Sequence, residues 1–541
     1  MNLLEQYLSY PAAPERIISI VGIEVHWLIL QYVLGLPLVI LVLLLLYRRS
    51  RNESWLRLAR TATKALGLTF AVGAAAGTLS EFGLVVVWPN VLEAAGRYIY
   101  FPLYLEIFAF LTEIVFIYLL VFGWNKLPLN AKIAVAFLAL VGAWFSAAMI
   151  MSVNSYMVAP TGIAPAFSQE RGWMYDQGYP KVLLVVPEDL AGLLDVGKLQ
   201  SLGMEVVGPL GGGVAVYMPS RVVARLAHEA WGARTVGESA LALVVKPEAL
   251  PAVKGVLVKD VVDRILVETV RTVGYTTVTF QSPVYTGSIL HAIGAGLVVT
   301  GYTVAGAFAL LTLLSGKKTK YYVDGLRLGT YFSLAAVVVQ GAVFGHILGV
   351  QVAHYNPEKL AAMEGTSGQI LSLSRALGLE DLMKLVVYGR PDAKLPEYDG
   401  IQRDYCTLMG VPAISDCRPP LIIHYLYYVK TGLAILLALF TLGVLALFTA
   451  KKEIGNLWLY GLALSPVVAQ LVSFLGWAVR EIGRKPWTIY GVMTVDVART
   501  ANPAGVLEYT LAGLLFVAVL AGLCYAAWRL LLVPSLRGEA E

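Results

Sequence analysis

The chain has 541 residues, 58% of them hydrophobic and only 14% charged, with a formal net charge of +5. Soluble domains run at roughly 45–50% apolar and about 25% charged residues, so a soluble enzyme and a nucleic-acid-binding protein are excluded and a polytopic membrane protein is expected. Lys and Arg concentrate in short loops between apolar runs, where cytoplasmic loops carry them. Three cysteines are too few for a disulfide framework or an iron–sulfur site.

Nine apolar runs are long enough to cross a bilayer, which takes about 20 residues: 17–47, 64–88, 100–123, 131–153, 288–314, 328–352, 421–449, 456–480 and 507–532. The first is too long for a signal-peptide core and has no small-residue cleavage site behind it. The basic loops Arg48, Arg49, Arg51, Arg57, Arg60, then Lys317, Lys318, Lys320, then Lys451-Lys452 all follow odd-numbered runs. By the positive-inside rule these loops are cytoplasmic. The N-terminus is then outside, the C-terminus cytoplasmic, and every long insertion outside.

The stretch 163–285 is too polar and too punctuated to enter the bilayer. Lys181–Val186, Met204–Val207, Val214–Tyr217 and Ala240–Val245 read as strands, and 187–202 and 220–231 as helices, the second with Ser220 as N-cap. Gly211-Gly212-Gly213 has no following helix start or Lys-Ser/Thr and reads as a hairpin turn, not a phosphate loop. The expected fold is therefore an all-α polytopic membrane protein of nine transmembrane helices with a small inserted α/β, βαββαβ-like domain on the outer side. Its divisions are helices one to four in 1–162, the insertion in 163–285, helices five and six in 286–352, an outer loop in 353–420, and helices seven to nine in 421–541. The insertion contributes one His, His228, and reads as an outer cap or docking module. Cys406 and Cys417 lie in the outer loop, where oxidising conditions permit a bridge. Such a bridge closes a loop of about 12 residues and stabilises by roughly 3 kcal/mol. Cys524, in the ninth run, reads as a buried small apolar residue.

An ionisable residue inside a span costs at least a few kcal/mol and is by default a functional hypothesis. The first span holds His26, ten residues after Arg16. The second carries Gly77-Thr78-Leu79-Ser80-Glu81-Phe82 and Trp88. Glu106 and Glu113 in the third are two helical turns apart and so share one face. The fourth ends Asn154-Ser155-Tyr156-Met157-Val158-Ala159-Pro160-Thr161-Gly162, the fifth has His291 near its outer end, and the seventh has His424 and Lys430. The eighth runs into Gly476-Trp477-Ala478-Val479-Arg480-Glu481-Ile482-Gly483-Arg484-Lys485-Pro486-Trp487. After the sixth comes Asn356-Pro357-Glu358-Lys359-Leu360-Ala361-Ala362-Met363-Glu364, a Pro-broken polar turn with a Lys and a Glu five apart.

Together these segments resemble subunit I of the cytochrome bd-type quinol oxidases, across all nine spans but not the insertion. The resemblance implies a heme-containing, quinol:oxygen oxidoreductase subunit in the cell membrane, with quinol oxidised at the outer face, oxygen reduced to water and protons taken from the cytoplasm. It implies three hemes: a low-spin heme b, a high-spin heme b, and a heme d or a third heme b, since ligands do not encode the macrocycle. His26 and Glu481 match ligands of high-spin hemes and His291 a ligand of the low-spin heme. Glu106 matches the carboxylate beside the oxygen-binding heme, and Glu113 a step in proton delivery. Lys359 and Glu364 match the pair presented to the quinol, Arg484 a partner of heme or quinol-site acids, and Trp487 a residue at the cofactor. The implied partners are quinol, molecular oxygen, a second membrane subunit and the bilayer.

Three positions depart from the family pattern. Glu106 and Glu113 are seven apart where the family has eight, a rotation of about 100° on a regular helix. Tyr156 and Val158 replace a Trp and a Gln. Lys430 stands where the family's second ligand of the low-spin heme, a Met, is expected; His424, about 9 Å up the helix and about 240° round it, is the other candidate. A non-catalytic, heme-poor paralogue is the competing reading, and the presence of His26, His291 and Glu481 argues against it.

Overall fold

The computed structural model describes residues 14–159, 163–164, 181–187, 205–210, 213–219, 233–236, 240–243, 280, 282–364, 373–393, 395–400, 418–450, 454–490, 493–498 and 506–536. The expected helices 187–202 and 220–231, His228, the turn residues 211–212, and Cys406 and Cys417 lie outside these residues, as do the side chains of Arg16 and Glu81.

Long apolar helices dominate: α1 (Pro14–Ser50), α2 (Glu53–Val87), α3 (Pro89–Gly123), α4 (Leu129–Val158), α5 (Tyr285–Ser315), α6 (Lys320–Val339), α7 (His346–Tyr355), α11 (Ile422–Thr449), α12 (Asn456–Ile482) and α14 (Val506–Ala527). Among the described residues eight helices are long and apolar enough to cross a membrane. A π-helical turn, Gln340–Gly345, joins α6 to α7, so the two form one continuous span, Lys320–Ala353. The second apolar run of the sequence falls in α2, a single 35-residue helix.

Helix α5 is the hub, packing on α1, α4, α6 and α12. Lipid tails are as apolar as Leu, so helices associate through close backbone approach and interhelical hydrogen bonds more than through water exclusion. Both occur here. A Cβ on Gly329 would stand 2.3 Å from the Ala305 nitrogen, and one on Gly35 would stand 2.1 Å from Thr300 Oγ1. The Trp27 indole donates to Ser473 Oγ (3.0 Å), Gln31 Nε2 to Gln470 Oε1 (3.1 Å), and Tyr302 and Thr441 share a hydrogen bond (2.9 Å). These bonds fix the rotation of α1 against α12 and of α5 against α11. Ile40, Leu44, Leu66, Ile117 and Leu120 are fully enclosed in the core between α1, α2 and α3.

In the insertion, β1 (Ile163–Ala164), β2 (Lys181–Pro187), β3 (Glu205–Leu210) and β4 (Gly213–Pro219) form an antiparallel sheet in the order β1-β2-β4-β3. Leu210 pairs with Gly213 at the end of the antiparallel β3–β4 ladder. The strands β5 (Ala233–Val236) and β6 (Ala240–Leu243) form a second hairpin. Four strands appear where alternation places them, while β1 and β5, short and weakly patterned, were not expected.

Cys524 is a correction: it is exposed, not buried. The reason is that α14 runs along the periphery, touching mainly α1 and α2, and turns most of its surface outward. An apolar residue in a membrane span needs no protein cover.

Candidate active site

The segment that reads as a polar turn folds as a buried helix. α8 (Pro357–Glu364) lies against α11, and Glu358, Lys359 and Glu364 are all buried. Lys359 threads across the end of α12: its Nζ donates to the Arg480 carbonyl (3.4 Å), and a Cβ on Gly483 would meet its Cε at 2.8 Å. Only glycine leaves this passage open. Glu364 Oε2 accepts from Ser374 Oγ (2.8 Å) and from the Tyr428 hydroxyl (3.0 Å), while Tyr428 itself takes the Ser374 N–H (3.2 Å). His424 completes this corner. Its Nδ1 lies 2.7 Å from the Met363 carbonyl, an acceptor, so Nδ1 carries the proton, and its ring packs on Tyr428.

Beside Lys359 stands a hydrogen-bonded chain that links α12 to α4 and α5. Arg480 donates to Asn154 Oδ1 (2.5 Å) and to Ser288 Oγ (3.0 Å), and Asn154 Nδ2 donates to Glu481 Oε1 (3.1 Å). Arg484 forms an ion pair with Glu481 Oε2 at 2.6 Å. Trp487 is buried in β7 (Trp487–Ile489), which pairs with β8 (Met493–Thr494) and is followed by the short helix α13 (Val495–Ala498).

Deeper in the bundle, His26 Nδ1 lies 3.1 Å from the Gly73 carbonyl of α2, which again places the ring proton on Nδ1 and leaves Nε2 with its lone pair. Both acids of α3 face α4: Ser146 Oγ donates to Glu106 Oε1 (2.9 Å), and Gly142 abuts the Glu113 side chain. The seven-residue spacing thus brings the two carboxylates to one neighbour, one helical turn apart on α4. His291 meets Gln340 of the π-helical turn, whose amide nitrogen lies 3.2 Å from Nδ1 and 3.0 Å from the His291 carbonyl. π-Turns recur at functional sites because the extra residue re-aims a side chain. Lys430 packs on Gly476 of α12, with its Nζ 5.0 Å from the Tyr427 ring centroid.

The family model for cytochrome bd terminal oxidase subunit I matches residues 15–183 and 264–537. The chain belongs to this family. A putative cytochrome bd menaquinol oxidase subunit I from Bacillus subtilis is 23% identical, covering 87% of this chain and 86% of the relative. The cytochrome bd ubiquinol oxidase subunit 1 of the same organism is 22% identical over 94% and 89%. The solved bd oxidase from Geobacillus thermodenitrificans superposes with a TM-score of 0.64 at 19% identity, covering 95% of this chain and 97% of that one, and shares the fold. The chain is thus a terminal oxidase subunit I, and the competing reading as a heme-poor paralogue fits less well.

The family implies heme, and three features of this subunit I fit it. His26 presents an unprotonated nitrogen. Arg484 has two buried nitrogens, Nε and Nη1, with no partner among the described residues, as an anion-binding guanidinium would. Glu24, which sequence reasoning missed, is buried beside Glu481 with Oε2 unpartnered. No group of three or more metal-binding side chains occurs among the described residues, and axial ligation of heme iron requires none.

Sequence reasoning also missed Glu358, Gln340, Asn154 and Arg480 as site members. Glu358 and Arg480 sit inside quoted motifs. Their roles as partners of Tyr490 and Asn154 depend on contacts between segments over 100 residues apart. Gly77 supplies a sharp test of the His26 site. A Cβ there would lie 2.8 Å from His26 Cε1, across from the helix that holds the ring. Gly77→Val is expected to displace the imidazole and, if His26 holds a heme, to lose or shift part of the heme absorbance, read by pyridine hemochrome and reduced-minus-oxidised spectra. An unchanged spectrum refutes His26 as a ligand.

Proposed function

We propose that this subunit I carries three hemes, oxidises a membrane quinol at the outer face and passes the electrons to oxygen. Two quinols and one oxygen yield two quinones and two water molecules. The carrying observation is α8, which buries Lys359 against the Arg480–Asn154–Glu481–Arg484 chain and, at its far end, Glu364 against Ser374 and Tyr428. Lys359, with three N–H donors and one Arg480 carbonyl as acceptor, holds a quinol oxygen. Glu364, fixed by Ser374 and Tyr428, takes the quinol proton as general base.

His26 and Glu481 are assigned to the two high-spin hemes, His291 and Lys430 to the low-spin heme, Arg484 to a propionate, and Trp487 to the cofactor's edge. When bound, the hemes supply electron transfer and oxygen binding. Glu106 and Glu113 hand protons inward along the face they present to α4. His424 is the weaker candidate for the low-spin heme, because Lys430 stands at the position of the family's Met ligand and His424 lies about 9 Å up the helix from it. Lys430 is within electrostatic range of His291. The quinol is of the menaquinol or ubiquinol class named for the relatives, and a second membrane subunit completes the oxidase. Nine transmembrane spans, with α2 as the second, put the N-terminus outside and the C-terminus in the cytoplasm, and the α/β insertion caps the outer side without entering catalysis.

The pH dependence of quinol binding tests this reading. Burial, followed by the charge of Arg480, lowers Lys359 to about 7, with Arg484 and Lys430 adding to the effect and Glu481 opposing it. Burial raises Glu358, hydrogen-bonded by Tyr490, to about 7. Raising the pH through 7 therefore removes a positive charge and adds a negative one. Quinol KM is expected to rise across this window, severalfold per pH unit at most, and Lys359→Arg, which stays charged, is expected to flatten the rise. A KM independent of pH between 6 and 8 in the wild-type enzyme sinks the assignment of Lys359.

A further inference from the structure

The helix α10 (Glu380–Tyr388) follows the short α9 (Leu373–Ala376), whose Ser374 holds Glu364. Its inner face is accounted for. Val387, Met383 and Tyr388 pack with Ala353, Leu360 and Leu395 at the outer end of the α6–α7 span. Its outer face is not. Leu382, Leu385 and Val386, with Leu377 and Leu379 just before the helix, are each between 44% and 61% exposed. Five large apolar side chains on one short segment outside a span form a contiguous patch of the kind that marks an interaction surface.

The charges are sorted along the same segment. Arg375 pairs with Glu380 (2.7 Å), and Lys384 reaches back to Glu380 (3.0 Å) and Asp381 (3.2 Å). The N-terminal turn therefore gathers its ions on one side, and the C-terminal turns present Leu385 and Val386.

The depth of the helix decides what covers this face. Tyr388 packs with Leu360 of α8, and Glu364 at the end of α8 accepts from the hydroxyl of Tyr428. Tyr428 is six residues into α11, about 9 Å below its outer end. α11 has 28 residues and is about 42 Å long, whereas the hydrocarbon core is about 30 Å thick, so each end projects about 6 Å. The C-terminal end of α10 thus stands at the outer hydrocarbon boundary, not in the aqueous phase above it.

We infer that α10 is an interfacial anchor, lying in the outer leaflet with Leu382, Leu385 and Val386 among the acyl chains and its Arg375–Glu380–Lys384 network at the headgroups. An amphipathic helix of this kind is held by its buried apolar area, and the covering partner is lipid. Lipid then borders the corner formed by Tyr388, Glu364 and Tyr428, and α8 is braced between the bundle and the leaflet.

Site-directed nitroxide labelling of the purified oxidase in lipid nanodiscs tests this. Leu382→Cys and Leu385→Cys are labelled singly in a Cys524→Ser background, with Asp381→Cys as the aqueous reference and the labelled Cys524→Ser parent, which keeps Cys406 and Cys417, as the blank. The oxidised enzyme is used without quinol, so oxygen is not consumed and turnover plays no part in the readout. Collision with lipid-soluble oxygen is expected to exceed collision with a water-soluble nickel chelate at positions 382 and 385, severalfold relative to position 381. Higher nickel accessibility at both positions overturns the inference. So does shielding from both reagents, which would mean that protein covers the face. Because the assay reads depth and not activity, its failure leaves the quinol site standing, and the reverse also holds.

Discussion

Replacing Glu364 by Ala is expected to lower kcat for quinol oxidation by roughly 10²–10³-fold with the hemes intact, within the 10²–10⁴ range of general-base removal. The structure gives this residue two hydroxyl donors, Ser374 and Tyr428, on one carboxylate oxygen. The carboxylate is thereby held still, at the far end of the buried helix that also carries Lys359. Lys359→Ala is expected to act mainly on KM, raising it roughly 10–100-fold, the equivalent of one charge-assisted hydrogen bond of about 1.5–3 kcal/mol. Oxygen consumption with a quinol donor, measured alongside the heme spectrum, separates the two effects. Unchanged kcat/KM in the double variant, with heme content preserved, removes α8 from the quinol site.

The second large effect concerns the proposed low-spin heme. Lys430→Ala is expected to convert a six-coordinate low-spin spectrum to a five-coordinate one, with loss of the corresponding reduced α-band, while His424→Ala retains it. The contrast lies in register: Lys430 stands at the position of the family's Met ligand, and His424 about 9 Å up the helix from it. His424 Nδ1 is bound to the Met363 carbonyl and its ring rests on Tyr428, so its removal loosens α8 and should raise quinol KM instead. Lys430 has its Nζ over the Tyr427 ring and its stem against Gly476, in range of His291. If both variants keep a six-coordinate spectrum, neither side chain is the ligand. If only His424→Ala loses it, the assignment is reversed.

The sequence by itself determined what is carried by local composition and spacing. Runs of about 20 apolar residues must form helices in a bilayer, because no water is there to satisfy the backbone, and the described spans fall where those runs lie. The Gly-Arg-x-Pro-Trp segment after Glu481, the Lys359/Glu364 pair and the intramembrane His26, His291, Glu106 and Glu113 stand out because ionisable residues are costly there. Strand alternation located β2, β3, β4 and β6, but not the two- and four-residue strands β1 and β5, whose pairing supplies what their own pattern does not.

Only the tertiary structure decided which faces meet. A polar, Pro-broken turn reads as solvated, yet α8 is buried because Gly483 leaves room for the Lys359 stem and α11 offers Tyr428 and His424 to its far end. Glu24 and Glu358 were illegible as site residues because their significance is burial beside distant partners, Glu481 and Tyr490. Cys524 was misread for the converse reason: span composition is the same whether a helix faces protein or lipid, and only packing shows that α14 faces outward. Rotation about a helix axis, not helix existence, is the quantity that sequence leaves open. In this subunit it is set by glycine contacts such as Gly35 on Thr300 and by bonds such as Trp27 to Ser473.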